Sequence, residues 1–215
     1  MEIALLLYDR LTTLDAVGPY EILSRLPGAV VKTVAKQAGP QRNDTGSLAL
    51  VADYALEEVP APEIVLVPGG PGQLALMGDE AILGWIRRAH ETSRWTTSVC
   101  TGSLLLGAAG ILRGKRATTH WLAYDELRAL GAEPVAERVV MDGKIVTAAG
   151  VSAGIDMALA LAARECGEGV AQSIQLGIEY DPQPPFDAGS PTKAPAEIVA
   201  RLRSRSRFIM EGRKS

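Results

Sequence analysis

The sequence predicts an α/β protein with a mostly parallel sheet and helices on both faces. Short apolar runs alternate along the chain with stretches that have the 3.6-residue periodicity of amphipathic helices. The runs at residues 3–8 and 63–67 are almost continuously apolar, which is typical of strands buried on both faces. No internal repeat or linker divides the chain, so we expect a single domain over residues 1–215.

Composition narrows the class of function. The 215 residues are 47% hydrophobic and 22% charged, with a net charge of −3 and a pI of about 5.5, which favours neither nucleic acid nor an anionic membrane as a partner. The first apolar run lacks a basic leader and is broken by Asp9 and Arg10, so it reads as a strand and not as a signal peptide. We therefore expect a cytoplasmic protein with reduced cysteines, no membrane span and no metal site.

The first third of the chain places an acidic residue at the sheet edge. A strand at residues 3–8 is followed by a helix that ends near Pro27 and Gly28. Asp15 lies at the start of that helix, where it reads either as a helix cap or as a proton carrier. The second interpretation follows because the turn after a parallel strand belongs to the edge where ligands bind.

The next segments predict strands at residues 29–35, 49–54 (a short edge strand) and 63–67. The last strand leads into PGGPG, residues 68–72, which is either a plain tight turn or a loop whose backbone N–H groups face a ligand. A helix over residues 79–90 follows, and His90 near its end is expected to be a solvated surface residue.

Residues 95–110, WTTSVCTGSLLLGAAG, predict a buried strand, a sharp turn and a helix. Cys100 lies at the turn, with Ser98 two residues before it and Gly102 two residues after it, the spacing of a nucleophile elbow. A helix N-terminus would lower the pKa of the thiol, and the elbow would turn the sulfur towards a pocket. The alternative is a cysteine that merely packs in the core.

Residues 117–121, ATTHW, predict a short strand with His120 and Trp121 at its carboxyl end. His120 is either a pocket residue or a structural, hydrogen-bonded histidine. A helix over residues 121–131 and a hairpin around Asp142 and Gly143 come next.

The rest of the chain predicts a buried helix from about residue 149 and a last core helix over residues 170–180, and then a turn-rich loop over residues 181–195. No chemistry is assigned to Cys166. The final stretch carries four arginines, Arg201, Arg203, Arg205 and Arg207. Ile198, Leu202 and Ile209 interleave with them at helical spacing, so we interpret this stretch as a solvated helix face and not as a nucleic-acid site.

Taken together, these motifs resemble the DJ-1/PfpI superfamily, which has a flavodoxin-like, class I glutamine-amidotransferase-like fold. The resemblance covers nearly the whole chain and is most specific to the isocyanide hydratase branch. The matching stretches are TTLDAVGPYEIL, VPGGPG, SVCTGSLLLGAAGIL, RATTHW, GVSAGIDMALALAA and IQLGIEYDPQPPFDAGSP.

The resemblance implies hydration of an isocyanide to an N-substituted formamide without a cofactor. It assigns the nucleophile to Cys100, the proton carrier to Asp15 and oxyanion-hole N–H groups to Gly70 and Thr101. The reaction would pass through a cysteine thioimidate. The resemblance also implies a homodimer and a small-molecule substrate, and we expect the pocket to be lined by Trp121 and Tyr20, with His120 as a further candidate.

Two departures limit other assignments within the superfamily. Related proteases place His directly after the nucleophile, where this chain has Thr101, and amidotransferases need a late His that is missing after His120. Two alternatives remain open: a glyoxalase-like or amide-hydrolysing enzyme, and a non-catalytic redox sensor that oxidises at Cys100.

Overall fold

A computed structural model describes residues 1–206. Its strands are β1 Glu2–Leu6, β2 Val30–Ala35, β3 Gly39–Arg42, β4 Ala49–Ala52, β5 Tyr54–Ala55, β6 Ile64–Val67, β7 Trp95–Val99, β8 Arg116–Ala117, β9 Glu133–Pro134, β10 Val139–Asp142 and β11 Ile145–Ala148. Its helices are α1 Thr13–Leu23, α2 Gln73–Leu76, α3 Glu80–Thr92, α4 Gly102–Ala108, α5 Tyr124–Ala129, α6 Ala153–Cys166, α7 Glu168–Gly177 and α8 Ala196–Ser204, with a 3₁₀ turn at Leu56–Glu58.

The central sheet has seven strands in the order β10-β11-β7-β6-β1-β2-β5. Every neighbouring pair is parallel except β10 and β11, which form an antiparallel hairpin. All four residues of β6 and of β11 are buried, as expected for inner strands covered on both faces. The mostly parallel sheet confirms the predicted fold class.

Helices pack in groups that cover the sheet. Helix α6 packs between α1 and α7, and α4 contacts α3 and α5. Small residues permit the close approach of α1 and α6: a Cβ on Gly154 would lie 2.9 Å from Pro19 of α1 and 3.0 Å from Val99 of β7. This packing brings the middle of α1 and the start of α6 close to the carboxyl end of β7.

Two predicted strands differ from the structure. The segment predicted as one edge strand is divided, because β4 pairs with β3 in a separate hairpin and only β5 joins the central sheet. Of the ATTHW stretch only Ala117 lies in a strand, β8, which pairs with β9 in a second small sheet. Residues 118–121 are irregular, and side-chain hydrogen bonds take the place of strand pairing: the Thr118 N–H donates to Thr147 Oγ1 of β11, and the Thr119 hydroxyl donates to the carbonyl of Cys100, which follows β7.

The predicted last core helix is instead a surface helix in the single chain. Only Ala171 and Ile174 of α7 are buried, and Leu176 is 78% exposed. The loop over residues 181–195 has no helix or strand, as predicted. Helix α8 has no buried residue, which agrees with a solvated helix, while Arg207 and Ile209 lie outside the described residues.

Helix α4 begins at a glycine because the end of β6 and the loop after it leave no space for a side chain there. A Cβ on Gly102 would lie 2.1 Å from the carbonyl oxygen of Val67. We expect Gly102→Ala to lower the free energy of unfolding by about 3 kcal/mol, measured by urea denaturation, because the backbone of the turn must shift. The matched control is Gly169→Ala in the first turn of α7, where nothing lies within 4 Å. Equal stability of the two variants would contradict this account.

Candidate active site

Cys100 occupies a strained turn between β7 and α4. Its φ is 56°, a left-handed conformation that is unusual for a residue with a side chain. The residue has no exposed surface in this chain. Its N–H donates to the carbonyl oxygen of Ala148 at the end of β11, over 3.0 Å. The turn therefore holds the thiol inside the protein at the carboxyl edge of the sheet, and not at the surface.

Asp15 reaches the same place from the first turn of α1. It is fully buried, and its Oδ2 accepts a hydrogen bond from the N–H of Gly69 over 2.9 Å. The cap interpretation is wrong, since Asp15 is the third residue of the helix and its bonded oxygen faces the loop after β6. Oδ1 has no hydrogen bond of ordinary geometry, and the Asp15 carboxyl and the Cys100 thiol perturb each other's ionisation.

Burial dominates the ionisation of this pair. It raises the pKa of Asp15 from 3.8 to about 7, against the opposing effects of the Gly69 N–H and the Cys100 thiol. Burial, followed by the charge of Asp15, raises the pKa of the Cys100 thiol well above its usual value. The predicted lowering of the Cys100 pKa is therefore wrong in direction. The N–H and hydroxyl of Thr101 do favour the thiolate, but α4 has only seven residues and its N-terminus does not offset the loss of hydration.

The PGGPG loop packs directly against the Cys100 turn. A Cβ on Gly69 would lie 2.5 Å from the Thr101 nitrogen and 2.9 Å from Asp15 Oδ2, so only glycine fits between these residues. Gly70 has φ 127° and donates its N–H to Thr101 Oγ1 over 3.0 Å. The structure thus brings Asp15, Gly70, Cys100 and Thr101 into one cluster.

Sequence reasoning missed Tyr8, which follows β1 at the same sheet edge. Its hydroxyl donates to the Pro68 carbonyl over 2.7 Å. Burial and the nearby Asp15 and Cys100 raise the Tyr8 pKa well above 10, so the phenol stays neutral. The available signal was the position of Tyr8 at the end of the first apolar run. Residues that follow a parallel strand lie at the carboxyl edge of the sheet, and this argument applies to Tyr8 as it does to Asp15.

His120 is a partly buried, neutral ring. Burial lowers its pKa to about 4, and Nδ1 accepts from the Leu122 N–H over 3.3 Å. The ring stands against Gly150, where a Cβ would lie 3.5 Å from it. The preceding residue, Thr119, contacts Cys100 directly: its hydroxyl donates to the Cys100 carbonyl over 3.0 Å, a contact that sequence reasoning also missed.

The contacts of Trp121 and Tyr20, the two predicted pocket residues, are with other parts of the protein. Trp121 carries the Arg203 guanidinium 5.6 Å from its ring centre and lines a surface cavity of about 510 Å³ formed mainly with α5. Tyr20 is 38% exposed and lies five residues after Asp15, about 140° around α1. None of these contacts places Trp121 or Tyr20 at the Cys100 and Asp15 pair.

His90 corrects another expectation. It is half-buried, not solvated, and its Nδ1 is 2.8 Å from Thr96 Oγ1 at the amino end of β7.

Both cysteines are free, as predicted. Within residues 1–206, no three acidic, histidine or cysteine side chains are grouped so as to hold a metal ion. In the same residues, no helix has the length and apolar character needed to cross a bilayer.

The chain is similar to known proteins over most of its length. It is 48% identical over 206 residues to a protein of Pseudomonas putida named isonitrile hydratase, covering 96% of this chain and 90% of that protein. A THiJ/PfpI family protein from Pseudomonas syringae has a TM-score of 0.92 at 39% identity, covering 95% of this chain and 85% of that one. The structure of Drosophila melanogaster DJ-1beta shares the fold, with a TM-score of 0.76 at 19% identity. The match covers 83% of this chain and 97% of the DJ-1beta chain.

The fold and the site define an α/β protein with a buried cysteine and carboxyl pair at the carboxyl edge of its parallel sheet. The DJ-1/PfpI family model matches residues 1–164. The chain belongs to the DJ-1/PfpI family.

Proposed function

We propose that this protein is an isocyanide (isonitrile) hydratase, which converts an isocyanide and water to an N-substituted formamide. The observation that carries the proposal is the joint burial of Cys100 and Asp15 against the Gly69 N–H, in a chain that is 48% identical to a named isonitrile hydratase. The reaction adds a nucleophile and a proton to one small carbon atom. A buried thiol beside a buried carboxyl supplies both.

In the first step the Cys100 sulfur bonds to the isocyanide carbon and a proton is delivered to the same carbon. The product is a thioimidate, R–N=CH–S–Cys100. The thiol starts protonated because its pKa is raised, so its proton must leave as the C–S bond forms. Asp15 is suited to carry that proton, since a carboxyl with a pKa of about 7 can both accept and donate near neutral pH.

In the second step water attacks the thioimidate carbon, assisted by Asp15, and the nitrogen takes a proton. The tetrahedral adduct then expels the Cys100 sulfur, which regains its proton, and R–NH–CHO is released. No oxidant, reductant or cofactor is needed for the atoms and electrons to balance. A small, largely apolar environment suits an isocyanide, which carries no charge.

We assign stabilisation of charge on the adduct to Thr101 and Gly70. The Thr101 N–H favours the Cys100 thiolate, and the Gly70 N–H would act through the Thr101 hydroxyl to which it donates. A donor aimed directly at the developing charge is typically worth about 3 kcal/mol, and we assign that direct role to the Thr101 N–H alone. We also propose that the turn at Cys100 is a nucleophile elbow. We further propose that the protein is a homodimer, because the large apolar side chains of Leu176 and Phe186 are exposed in the single chain.

The test is steady-state hydration of a simple alkyl or aryl isocyanide, with the formamide identified by mass spectrometry. We expect wild-type protein, fully reduced, to form the formamide with multiple turnovers and no added metal or cofactor. Methylglyoxal and a simple amide serve as competing substrates. Turnover of either one without isocyanide turnover would replace this proposal with the glyoxalase-like or amide-hydrolysing function, and stable oxidation of Cys100 without any turnover would favour the redox sensor.

A further inference from the structure

The backbone carbonyl of Cys100 is held by two side-chain hydroxyls. Ser103 Oγ donates to it over 3.1 Å from the first turn of α4. Thr119 Oγ1 donates to it over 3.0 Å from the segment after β8, nineteen residues away in the chain. Both hydroxyl residues are fully buried, so water does not compete for these bonds.

The segment that carries Thr119 is itself fixed to the sheet. The N–H of Thr118 donates to Thr147 Oγ1 on β11 over 2.9 Å. The next residue of β11, Ala148, accepts the N–H of Cys100 over 3.0 Å. The end of β11 therefore holds the N–H of Cys100 directly and anchors the segment that holds its carbonyl.

This carbonyl and the N–H of Thr101 belong to one peptide unit. Because that unit is planar, the direction of the carbonyl sets the direction of the N–H. The Thr101 N–H favours the thiolate form of Cys100 and so opposes the rise of its pKa. Cys100 has a left-handed φ of 56°, which is disfavoured for a residue with a side chain, so the peptide needs external bonds to stay in place.

We propose that Thr119 is a positioning residue for the reaction of Cys100: its hydroxyl fixes the peptide between Cys100 and Thr101 so that the Thr101 N–H faces the sulfur. Ser103 assists through its own hydrogen bond to the same carbonyl. The inference rests on the proposed function for its kinetic consequence. Its consequence for the thiol itself does not depend on any substrate.

The variants are Thr119→Val, which keeps the shape and removes the hydroxyl, and Thr119→Ser, which keeps the hydroxyl. Thr97→Val is the matched control, because Thr97 is also fully buried and its hydroxyl donates to the Val65 carbonyl over 2.8 Å without contacting Cys100. We expect Thr119→Val to lower kcat for isocyanide hydration about 30-fold at nearly constant KM, since misplacing a reacting group costs up to about 100-fold. Thr119→Ser should recover most of that loss, and Thr97→Val should keep kcat within about 3-fold.

A second measurement follows the thiol alone. In a Cys166→Ser background, the rate at which iodoacetamide alkylates Cys100 is measured by mass spectrometry as a function of pH. Thr119→Val should react about 10-fold more slowly at a given pH, because the thiolate loses a directed N–H. Simple loosening of the fold would make the buried thiol more accessible and therefore faster to react. The direction of the change separates positioning from a merely structural role.

Faster alkylation in Thr119→Val, or the same rate as in Thr97→Val, would overturn the proposal. Failure of Thr119→Ser to recover the wild-type rate would do the same. If Thr119→Val does not fold, Ser103→Ala removes the other donor to the same carbonyl and must slow alkylation in the same direction. If the wild-type protein fails to hydrate isocyanides, the proposed function fails, and the alkylation rates still decide the role of Thr119.

Discussion

Cys100→Ala is expected to lower kcat for isocyanide hydration by at least about 10,000-fold, to the level of the buffer reaction. The proposed route runs through a covalent bond from the sulfur to the isocyanide carbon, and no neighbouring group can replace that bond. Cys100→Ser should be nearly as inactive, because a serine hydroxyl is a far weaker nucleophile beside a single carboxyl. The measurement is formamide production over time, with each variant compared with wild type at equal protein concentration.

The control for the cysteine variants is Cys166→Ser. Cys166 is a free thiol at the end of α6, away from the turn that carries Cys100. We expect it to keep kcat within about 2-fold of wild type, since a substitution far from the reacting groups usually has little effect. Substantial turnover by folded Cys100→Ala, or loss of turnover in Cys166→Ser, would mean that the nucleophile has been assigned to the wrong residue.

Asp15→Asn is the second large effect, an expected fall in kcat of about 1,000-fold. The amide oxygen can still accept the Gly69 N–H that Asp15 Oδ2 accepts over 2.9 Å, so the loop after β6 should stay in place. What is lost is the group that carries protons between the thiol, the isocyanide carbon and water, and general acid–base catalysis contributes about 100- to 10,000-fold. The measurement is kcat and KM for the same isocyanide as a function of pH.

The matched control for Asp15→Asn is Asp44→Asn. The charge of Asp44 contributes to the raised pKa of Asp15. Removing it should lower the pKa of Asp15 and move the pH profile of kcat towards lower pH, while the maximal rate stays within a few-fold of wild type. Full activity in Asp15→Asn would refute the proton-carrier role.

The same carboxyl makes stability depend on pH in a defined direction. With a pKa of about 7 in the folded protein and 3.8 ordinarily, Asp15 binds a proton in the folded state that the unfolded chain releases between these values. The free energy of unfolding therefore falls as the pH rises through this window, by up to on the order of 4 kcal/mol. Asp15→Asn lacks this term, so we expect it to match wild type near pH 4 and to exceed wild-type stability near pH 8. A constant difference at both pH values would contradict the raised pKa.

The sequence determined the architecture, and it predicted that Cys100 and Asp15, the two principal candidate residues, lie at the same edge of the sheet. Continuous apolar runs such as β6 are local features that predict inner parallel strands, and glycine and small residues around Cys100 predict a sharp turn. Asp15 follows the first strand within a few residues, so its place at the carboxyl edge of the sheet could also be predicted. These inferences need only the period of the pattern and the order of the elements.

Only the tertiary structure decided how the site is ionised and held. The Cys100 pKa is raised and not lowered because segments distant in the chain bury the thiol beside Asp15, and the loss of hydration outweighs a short helix N-terminus. Tyr8 and Thr119 join the site through bonds to Pro68 and Cys100, over separations of 60 and 19 residues. No local pattern marks such contacts, because a hydroxyl in a polar or apolar run looks the same whether it faces solvent or a buried carbonyl. Burial and hydrogen bonding are properties of the packed chain, and these properties set the chemistry of the cysteine.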